Sequence, residues 1–184
     1  MDKDTLIDLI VESTTLKWMP RSGWQMRGVP DAESVAEHSF GVAFVALALV
    51  DALQGEGLDL EKVLVMALLH DLAEVRLTDL PGLAVRLLPE GVKGQAEAAA
   101  IDDLLAPLAA AGRWKALWQE FEDRSSAEGR LVRDADKLEM MCQCLRYEQA
   151  GSRGLSEFWA GTDQLQWHYP LCAELYALAK QRRP

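Results

Sequence analysis

The stretch MALLHDLAEV, residues 66–75, has the composition of a buried helix, yet it carries three ionisable side chains. His70, Asp71 and Glu74 stand among leucines and alanines, where burying an unpaired charge is costly. His70 and Glu74 are four positions apart, and Asp71 and Glu74 are three apart, so on a helix their heads can converge. The pattern therefore predicts either compensating partners elsewhere in the chain or a cation held between these side chains.

The rest of the 184-residue chain has the composition of one helical domain. Hydrophobic residues make up 49% and charged residues 26%, a globular balance in which Ala and Leu outnumber β-branched residues, and this favours helices. Ser125 and Glu128 have the spacing of a capping box at a helix start, whereas the Pro- and Gly-rich segment 19–34 is predicted to be a loop. We expect one all-α domain over residues 1–184. Its predicted helices cover residues 3–17, 35–53, 58–76, 95–112 (ended or kinked by Pro107), 114–122, 125–149 and 170–181.

Charge, apolar runs and cysteine content argue against nucleic acid and membrane partners and predict a cellular compartment. The formal net charge is −10, which argues against binding of a nucleic acid polymer, because such binding needs clustered Lys and Arg. The N-terminus lacks the pattern of a signal peptide, and the longest apolar run, residues 41–50, is shorter than the roughly 20 residues that span a membrane. Cys142, Cys144 and Cys172 are an odd number, which predicts reduced thiols and a cytoplasmic location.

Candidate metal ligands lie on three predicted helices. His38 lies on the apolar face of a predicted helix. A single histidine in such a position is usually a hydrogen-bonded core residue, but His38 together with His70 and Asp71 suggests a metal site. A fourth ligand is expected from LVRDADKLEMMCQCL, in which Asp134 and Asp136 each share a face with apolar residues, so periodicity leaves both open. Two imidazoles and two carboxylates suit a divalent cation such as Mn, Co, Fe, Ni, Zn or Mg.

Three blocks of this sequence, in order, resemble a known family. RSGWQMRGVPDAESVAEHSF, ALLHDLAEVRLTDLP and SSAEGRLVRDADKLEMMCQCLRYE are similar to successive blocks of the HD-domain metal-dependent phosphohydrolases, in the 5′-deoxynucleotidase branch. The similarity covers about residues 16–151. It implies an HD-domain helical bundle with a metal site between helices, a small nucleotide substrate and, commonly, a homodimer. The implied reaction is hydrolysis of deoxyribonucleoside 5′-monophosphates to deoxyribonucleoside and phosphate.

The resemblance also implies roles for individual residues. It favours Asp136 as the fourth metal ligand, and it suggests that Asp79 helps to move a proton or binds a second cation. Glu74, one turn beyond the ligands, is placed to handle a proton.

The loop before His38 offers candidates for substrate binding. Arg21 and Arg27 can each grip phosphate oxygens or be solvated loop residues, and the resemblance favours Arg21. The resemblance also implies that Trp24 packs against the sugar and leaves no room for a 2′-hydroxyl. From the residues alone, Trp24 would be predicted to be part of the hydrophobic core.

One departure and two alternatives accompany this hypothesis. Relatives usually carry Gly where this chain has Thr78, and Thr tolerates positive φ poorly, so we expect the backbone of the loop that carries Asp79 to differ from that of the relatives. The first alternative is an HD phosphohydrolase that acts on nucleoside triphosphates or another phosphoester. The second is a non-catalytic helical regulatory protein, against which the complete set of candidate ligands argues.

Overall fold

The computed structural model describes residues 2–184, and in that part of the chain there are helices and no β-strand beyond one isolated bridge between Pro20 and Ser34. The prediction of an all-α fold is confirmed. A 3₁₀ turn covers Thr14–Lys17. The α-helices are α1 (Lys3–Ser13), α2 (Ser22–Gln25), α3 (Val35–Ala52), α4 (Leu60–Leu69), α5 (Glu74–Leu77), α6 (Gly82–Val85), α7 (Val92–Leu105), α8 (Ala111–Asp123), α9 (Ala127–Gln149), α10 (Ser156–Thr162) and α11 (Pro170–Gln181).

The core surrounds α9, a helix of 23 residues that packs against α3, α4, α8 and α11. Leu131, Val132 and Ala135 of α9 are completely buried, as are Val42 of α3 and Met66 of α4. Close-packed interiors of this kind resist displacement of their helices. The three helices that carry the candidate metal ligands are therefore anchored in one core.

Helix α3 is the one described helix that is long and apolar enough to cross a membrane by length and composition. In this fold its Val42, Ala46 and Leu49 lie in the protein core. Its start is fixed by a capping box, in which the Ser34 hydroxyl accepts from the amide of Glu37 and the Glu37 carboxylate accepts from the amide of Ser34. The cap sets the first turn of α3, which carries His38.

The predicted helix over residues 58–76 is wrong in its second half, since α4 ends at Leu69 and α5 begins at Glu74. The amides of Leu72 and Glu74 bond to the carbonyls three residues earlier, at 3.0 and 3.1 Å, which is the tighter 3₁₀ pattern. The His70 imidazole donates to the Ala67 carbonyl at 2.8 Å, the acceptor that the Asp71 amide would use in a continuous α-helix. The side chains of His70, Asp71 and Glu74 therefore meet across a tight turn rather than on one helical face.

The predicted cap of α9 also differs from the structure. The cap is Ser126, whose hydroxyl accepts from the amide of Gly129 at 3.1 Å, and not Ser125. Glu128 is not its capping-box partner, because its carboxylate pairs with Lys62 of α4 at 3.1 Å.

Other helix boundaries were predicted with mixed success. The predicted helix 3–17 divides into α1 and the 3₁₀ turn, and the loop 19–34 contains the short helix α2. The effect of Pro107 is confirmed, since α7 ends at Leu105, and α11 has the predicted bounds with Pro170 in its first turn.

Thr78, which follows α5, has φ 62° and ψ 162°. A side chain with a Cβ rarely adopts this conformation, and holding one there costs about 1–3 kcal/mol. Strain at Thr78 is therefore built into the loop that carries Asp79.

We expect Thr78→Gly to raise the free energy of unfolding by about 1 kcal/mol, because relief of strain exceeds the added entropy of the unfolded chain. Urea unfolding measures the change. Thr78→Ala is the matched control, since it keeps the Cβ and should give little gain. Equal stability of the Gly and Ala variants would contradict the assignment of strain to this position.

Candidate active site

His38 of α3 meets two consecutive residues, His70 and Asp71, at the end of α4. The Nε2 atoms of His38 and His70 lie 3.4 Å apart. The Asp71 Oδ2 lies 3.2 Å from the His70 Nε2 and 3.7 Å from the His38 Nε2. Donor atoms of these three residues all lie within 4.8 Å of one another, which makes them a candidate metal-binding group.

Asp136 of α9 joins this cluster through His38. Its Oδ1 lies 3.3 Å from the His38 Nε2, and its Oδ2 pairs with Lys137 at 3.0 Å and Arg133 at 3.3 Å. Burial raises the pKa of Asp136, but Lys137 and His38 outweigh burial and hold it well below its usual range. Asp136 is therefore an anion at the edge of the cluster.

Asp134, the alternative ligand, faces a different part of the protein. Its carboxylate accepts from the backbone amides of His168 and Tyr169 and from the His168 Nδ1, all at 2.9 Å. These bonds attach the segment before α11 to α9. The structure therefore distinguishes the two aspartates, which helical periodicity alone could not do.

The hydrogen bonds of the two imidazoles fix where their protons lie. The His70 Nδ1 bonds to the Ala67 carbonyl, which can only accept, so this nitrogen carries the proton. The His38 Nδ1 lies 2.6 Å from the carboxylate of Glu139 and is likewise the donor. In the neutral rings both Nε2 atoms therefore lack a proton and lie 3.4 Å apart, so a proton or a cation beside them relieves the repulsion between their lone pairs.

Without a metal, a proton on His38 supplies that charge. Burial lowers the pKa of His38, as does Arg21, but hydrogen bonds to Asp136 and Glu139 outweigh them and raise the pKa to about 10. A divalent cation fits the same space, because two imidazole nitrogens and nearby carboxylates are suitable donors. A metal bound there would displace the proton.

Glu139, which the sequence analysis did not identify, fixes the orientation of the His38 ring. It lies on α9 three residues after Asp136 and is buried. Its carboxylate fills the space beside Gly41 of α3, where a Cβ would stand 2.5 Å from the Glu139 Oε1. The signal in the sequence was this isolated glycine within a helical pattern, which often marks close packing.

Arg21 lies close to three acidic side chains at the opening of the cluster. Its Nη1 lies 2.8 Å from Asp71, 3.7 Å from Asp79 and 4.0 Å from Glu74. Burial lowers the pKa of Arg21, but Asp71 and Asp79 outweigh burial and raise it above its ordinary value. Arg21 therefore stays charged and holds the acidic groups together.

Asp79 ties the loop after α5 to the start of α2. Its Oδ2 accepts from the amide and the hydroxyl of Ser22, at 2.6 and 2.9 Å. Since Arg21 immediately precedes Ser22, Asp79 fixes the position of the arginine.

Glu74, the first residue of α5, is buried, and its Oε2 has no hydrogen-bond partner within residues 2–184. Burial and the charges of Asp71 and Asp79 raise the pKa of Glu74 to about 9. An unpartnered oxygen in a buried site is costly unless a ligand or an ion supplies the partner. Glu74 is therefore placed to contact a bound group.

The other two residues of the predicted substrate site lie further from the cluster. Trp24 is 2% exposed, its indole nitrogen donates to Glu33 at 2.9 Å, and its ring lies 4.3 Å from that of Phe158. Only a small part of its surface borders the cavity described next. Arg27 pairs with Glu157 and lines an adjoining cavity.

The cluster opens into a cavity of about 580 Å³. Its walls include Asp71, Glu74, Asp79 and Asp136, together with a set of cationic side chains. Because the chain as a whole carries a net charge of −10, these cations form the local positive feature that an anionic ligand needs. The cationic residues that line the cavity are Arg21, Arg86, Lys93, Arg133 and Lys137.

Comparison with known proteins gives a consistent set of similarities. The HD domain family matches residues 13–166 of this chain. The 5′-deoxynucleotidase HDDC2 of Danio rerio is 31% identical over 171 residues, which cover 91% of this chain and 82% of that protein. The 5′-deoxynucleotidase hdd1 of Schizosaccharomyces pombe is 33% identical over 153 residues, which cover 79% and 75%.

Solved structures of archaeal proteins have the same architecture. A conserved hypothetical protein from Pyrococcus furiosus is 39% identical, with a TM-score of 0.80 over 96% of this chain and 98% of that one. The PH0347 protein from Pyrococcus horikoshii is 38% identical, with a TM-score of 0.79 over 96% and 97%. The similarity in fold thus extends over almost the whole length of both proteins.

The contrast between Asp136 and Asp134 gives a test of the metal site. We expect Asp136→Asn to reduce binding of Mn²⁺ or Co²⁺, measured by calorimetric titration, because it removes a negative charge at the candidate metal site. Asp134→Asn should retain metal binding but lower the free energy of unfolding by about 1–3 kcal/mol, since an amide group would then face buried donors. The reverse pattern would identify Asp134 as the ligand.

The contact between Gly41 and Glu139 gives a second test. Gly41→Ala should displace the Glu139 carboxylate and, like Glu139→Gln, weaken metal binding by about 10–100-fold, the usual effect of losing a residue that orients a metal ligand. Gly94→Ala on α7 is the matched control, because nothing lies within 4 Å of the added Cβ. Unchanged metal affinity in Gly41→Ala would show that Glu139 does not orient His38 for binding.

Proposed function

Because this chain belongs to the HD-domain family, we propose that it is a 5′-deoxynucleotidase, a phosphoric monoester hydrolase that converts deoxyribonucleoside 5′-monophosphates to deoxyribonucleoside and phosphate. The observation that carries the proposal is the pair of imidazole Nε2 atoms facing each other at 3.4 Å beside a cavity with cationic walls. Similarity to 5′-deoxynucleotidases over most of the chain supports the choice of substrate.

We propose His38, His70, Asp71 and Asp136 as the residues that hold a divalent cation, with Mn, Co, Fe, Ni, Zn and Mg as candidates. The donor set and the fixed tautomers of both histidines support this assignment. A cation in this position lowers the pKa of bound water and offsets the negative charge of the phosphoryl oxygens.

Glu74 is the proposed catalytic residue, and Asp79 is a proposed positioning residue. The raised pKa of Glu74 allows it to hold a transferable proton near neutral pH, and its unpartnered Oε2 faces a buried site. In this proposal Glu74 carries the proton that the departing 5′-oxygen requires. Asp79 assists by holding the segment that begins with Arg21 and Ser22.

Arg21 is the proposed phosphate clamp. Within the described residues its one side-chain hydrogen bond runs from Nη1 to Asp71, so the other guanidinium nitrogens have N–H groups to donate to phosphate oxygens. Trp24 is proposed as the wall beside the sugar that excludes a 2′-hydroxyl. Arg27, which pairs with Glu157, is assigned no contact with the phosphate.

We also propose a homodimer and a cytoplasmic location. Phe40, Phe44 and Leu47 are exposed on one face of α3, an apolar surface of the kind that oligomer interfaces cover. The three cysteines are free thiols, which suits a reducing compartment.

A phosphate-release screen tests the function. After chelation and reloading with individual divalent ions, the protein should release phosphate from deoxyribonucleoside 5′-monophosphates faster than from ribonucleoside 5′-monophosphates. Glu74→Gln should keep the metal and lose at least about 100-fold in kcat, because it cannot donate a proton in the same way. Release of triphosphate or pyrophosphate from nucleoside triphosphates, without phosphate release from monophosphates, would contradict the proposal.

A further inference from the structure

The indole nitrogen of Trp24 makes a hydrogen bond to which the proposed function assigns no role. Trp24 is buried, and its Nε1 donates to the Glu33 Oε1 at 2.9 Å. An indole nitrogen can only donate, and a buried tryptophan usually needs an acceptor for it. Within residues 2–184, Glu33 is the acceptor that the Trp24 side chain has. Glu33 therefore satisfies the polar end of the ring proposed as the wall beside the sugar.

Glu33 is itself held at three points. Its amide donates to the hydroxyl of Tyr147 on α9 at 2.8 Å, and its carbonyl accepts from the amide of Arg21 at 2.8 Å. Together with the bond from Trp24, these contacts engage the amide, the carbonyl and the carboxylate of one residue. Glu33 thus has a fixed position relative to both α9 and the start of α2.

The chain on either side of Glu33 is joined to the segment before α2. Pro20 and Ser34 form the isolated antiparallel bridge, and the amide of Val35 donates to the carbonyl of Met19 at 2.8 Å. Residues 19–21 and 33–35 therefore lie side by side. The proposed phosphate clamp, Arg21, and the acceptor of the Trp24 bond belong to one short hydrogen-bonded unit.

Ring packing alone does not determine where the Trp24 ring stops. The rings of Phe158 and Tyr147 pack against it, with centroids 4.3 and 5.4 Å away. Dispersion contacts of this kind act between many atom pairs and prescribe no single direction, whereas a hydrogen bond weakens steeply when the donor turns away from the acceptor. The bond to Glu33 therefore determines how far the ring enters the active-site cavity that Trp24 helps to line.

The bond from Trp24 does not depend on the charge of Glu33. Burial and the neighbouring charge of Glu139 raise the pKa of Glu33 to about 7. Whether ionised or neutral, the carboxyl group keeps an oxygen that accepts from the indole nitrogen. A glutamine side chain has such an oxygen as well, so Glu33→Gln is a conservative replacement.

We propose that Glu33 is a positioning residue for sugar selection, which holds the Trp24 ring where the ring excludes a 2′-hydroxyl. The inference rests on the proposed function and on the role proposed there for Trp24. Glu33 does not line the active-site cavity but a separate one of about 310 Å³, so it acts through Trp24 and not by contact with the substrate. Without the bond, the ring can withdraw and a ribonucleotide gains room.

The test compares kcat/KM for deoxyadenosine 5′-monophosphate and adenosine 5′-monophosphate at saturating divalent metal. The wild-type enzyme should prefer the deoxyribonucleotide. Glu33→Met keeps the length of the side chain but offers only a weak acceptor. It should lower this preference by about 5-fold or more, the size of effect expected for a lost buried hydrogen bond, mainly through faster reaction of the ribonucleotide. Glu33→Gln should retain the preference to within about 2-fold, because it retains the acceptor.

Trp24→Phe removes the same bond from the donor side and keeps an aromatic ring. It should lower the preference at least as much as Glu33→Met, and it tests the proposal also if Glu33→Met does not fold. When Trp24→Phe is already present, adding Glu33→Met should not lower the preference further, because two residues that act through one bond are not additive.

Asp31→Asn is the matched control for the loss of a negative charge. Asp31 lines the same small cavity as Glu33 and is exposed. Its backbone has φ 52°, a conformation that asparagine tolerates well. Asp31→Asn should leave the preference for the deoxyribonucleotide unchanged.

An equal loss of kcat/KM for both nucleotides in Glu33→Met would show that Glu33 serves only stability, and it would overturn the proposal. An unchanged preference in Glu33→Met or Trp24→Phe, or a lost preference in Glu33→Gln or Asp31→Asn, would also overturn it. If the wild-type enzyme hydrolyses both nucleotides equally well, the sugar wall fails and the role of Glu33 fails with it, while the phosphatase activity stands. If it hydrolyses neither, the proposed function itself fails.

Discussion

The active site depends on two imidazole rings whose Nε2 atoms lie 3.4 Å apart. Each ring is held in this orientation by a bond from its other nitrogen, to Glu139 for His38 and to Ala67 for His70. Such an arrangement is stable only with positive charge between the rings, supplied by a proton or a metal. The core around α3, α4 and α9 holds the helices that carry both rings in place.

The protonation states of the acidic groups around these two rings depend on a few positively charged side chains. Arg21 lies within 4.0 Å of three carboxylates. Burial raises the pKa of Asp71, but His70 and then Arg21 outweigh burial and hold that pKa below its ordinary value. Glu74 has the weakest compensation of the three, since its contact with Arg21 is the longest at 4.0 Å, and its pKa rises to about 9. Neighbouring carboxylates thus acquire different protonation states, which is the condition for one to act as a ligand and another to move a proton.

The secondary structure was predictable where the hydrophobic periodicity agreed with residues that begin or end helices, such as proline. Helix α11 has the bounds that Pro170 suggested, and α7 ends before Pro107. The prediction failed at His70, because a hydrogen bond from its side chain to a backbone carbonyl competes with the helix. Periodicity describes only which faces are apolar, and it carries no information about such a bond.

The sequence by itself determined the all-α class, the family, and His38, His70 and Asp71 as the residues that needed explanation, because polar groups on apolar helix faces stand out against a regular pattern. Only the tertiary structure separated Asp136 from Asp134 by their neighbours and revealed the contribution of Glu139. Asp134, Asp136 and Glu139 all lie on α9 among apolar residues, so the sequence around them does not distinguish their roles. The partner of each is set by which helix or loop α9 packs against, and that depends on the packing of the whole domain.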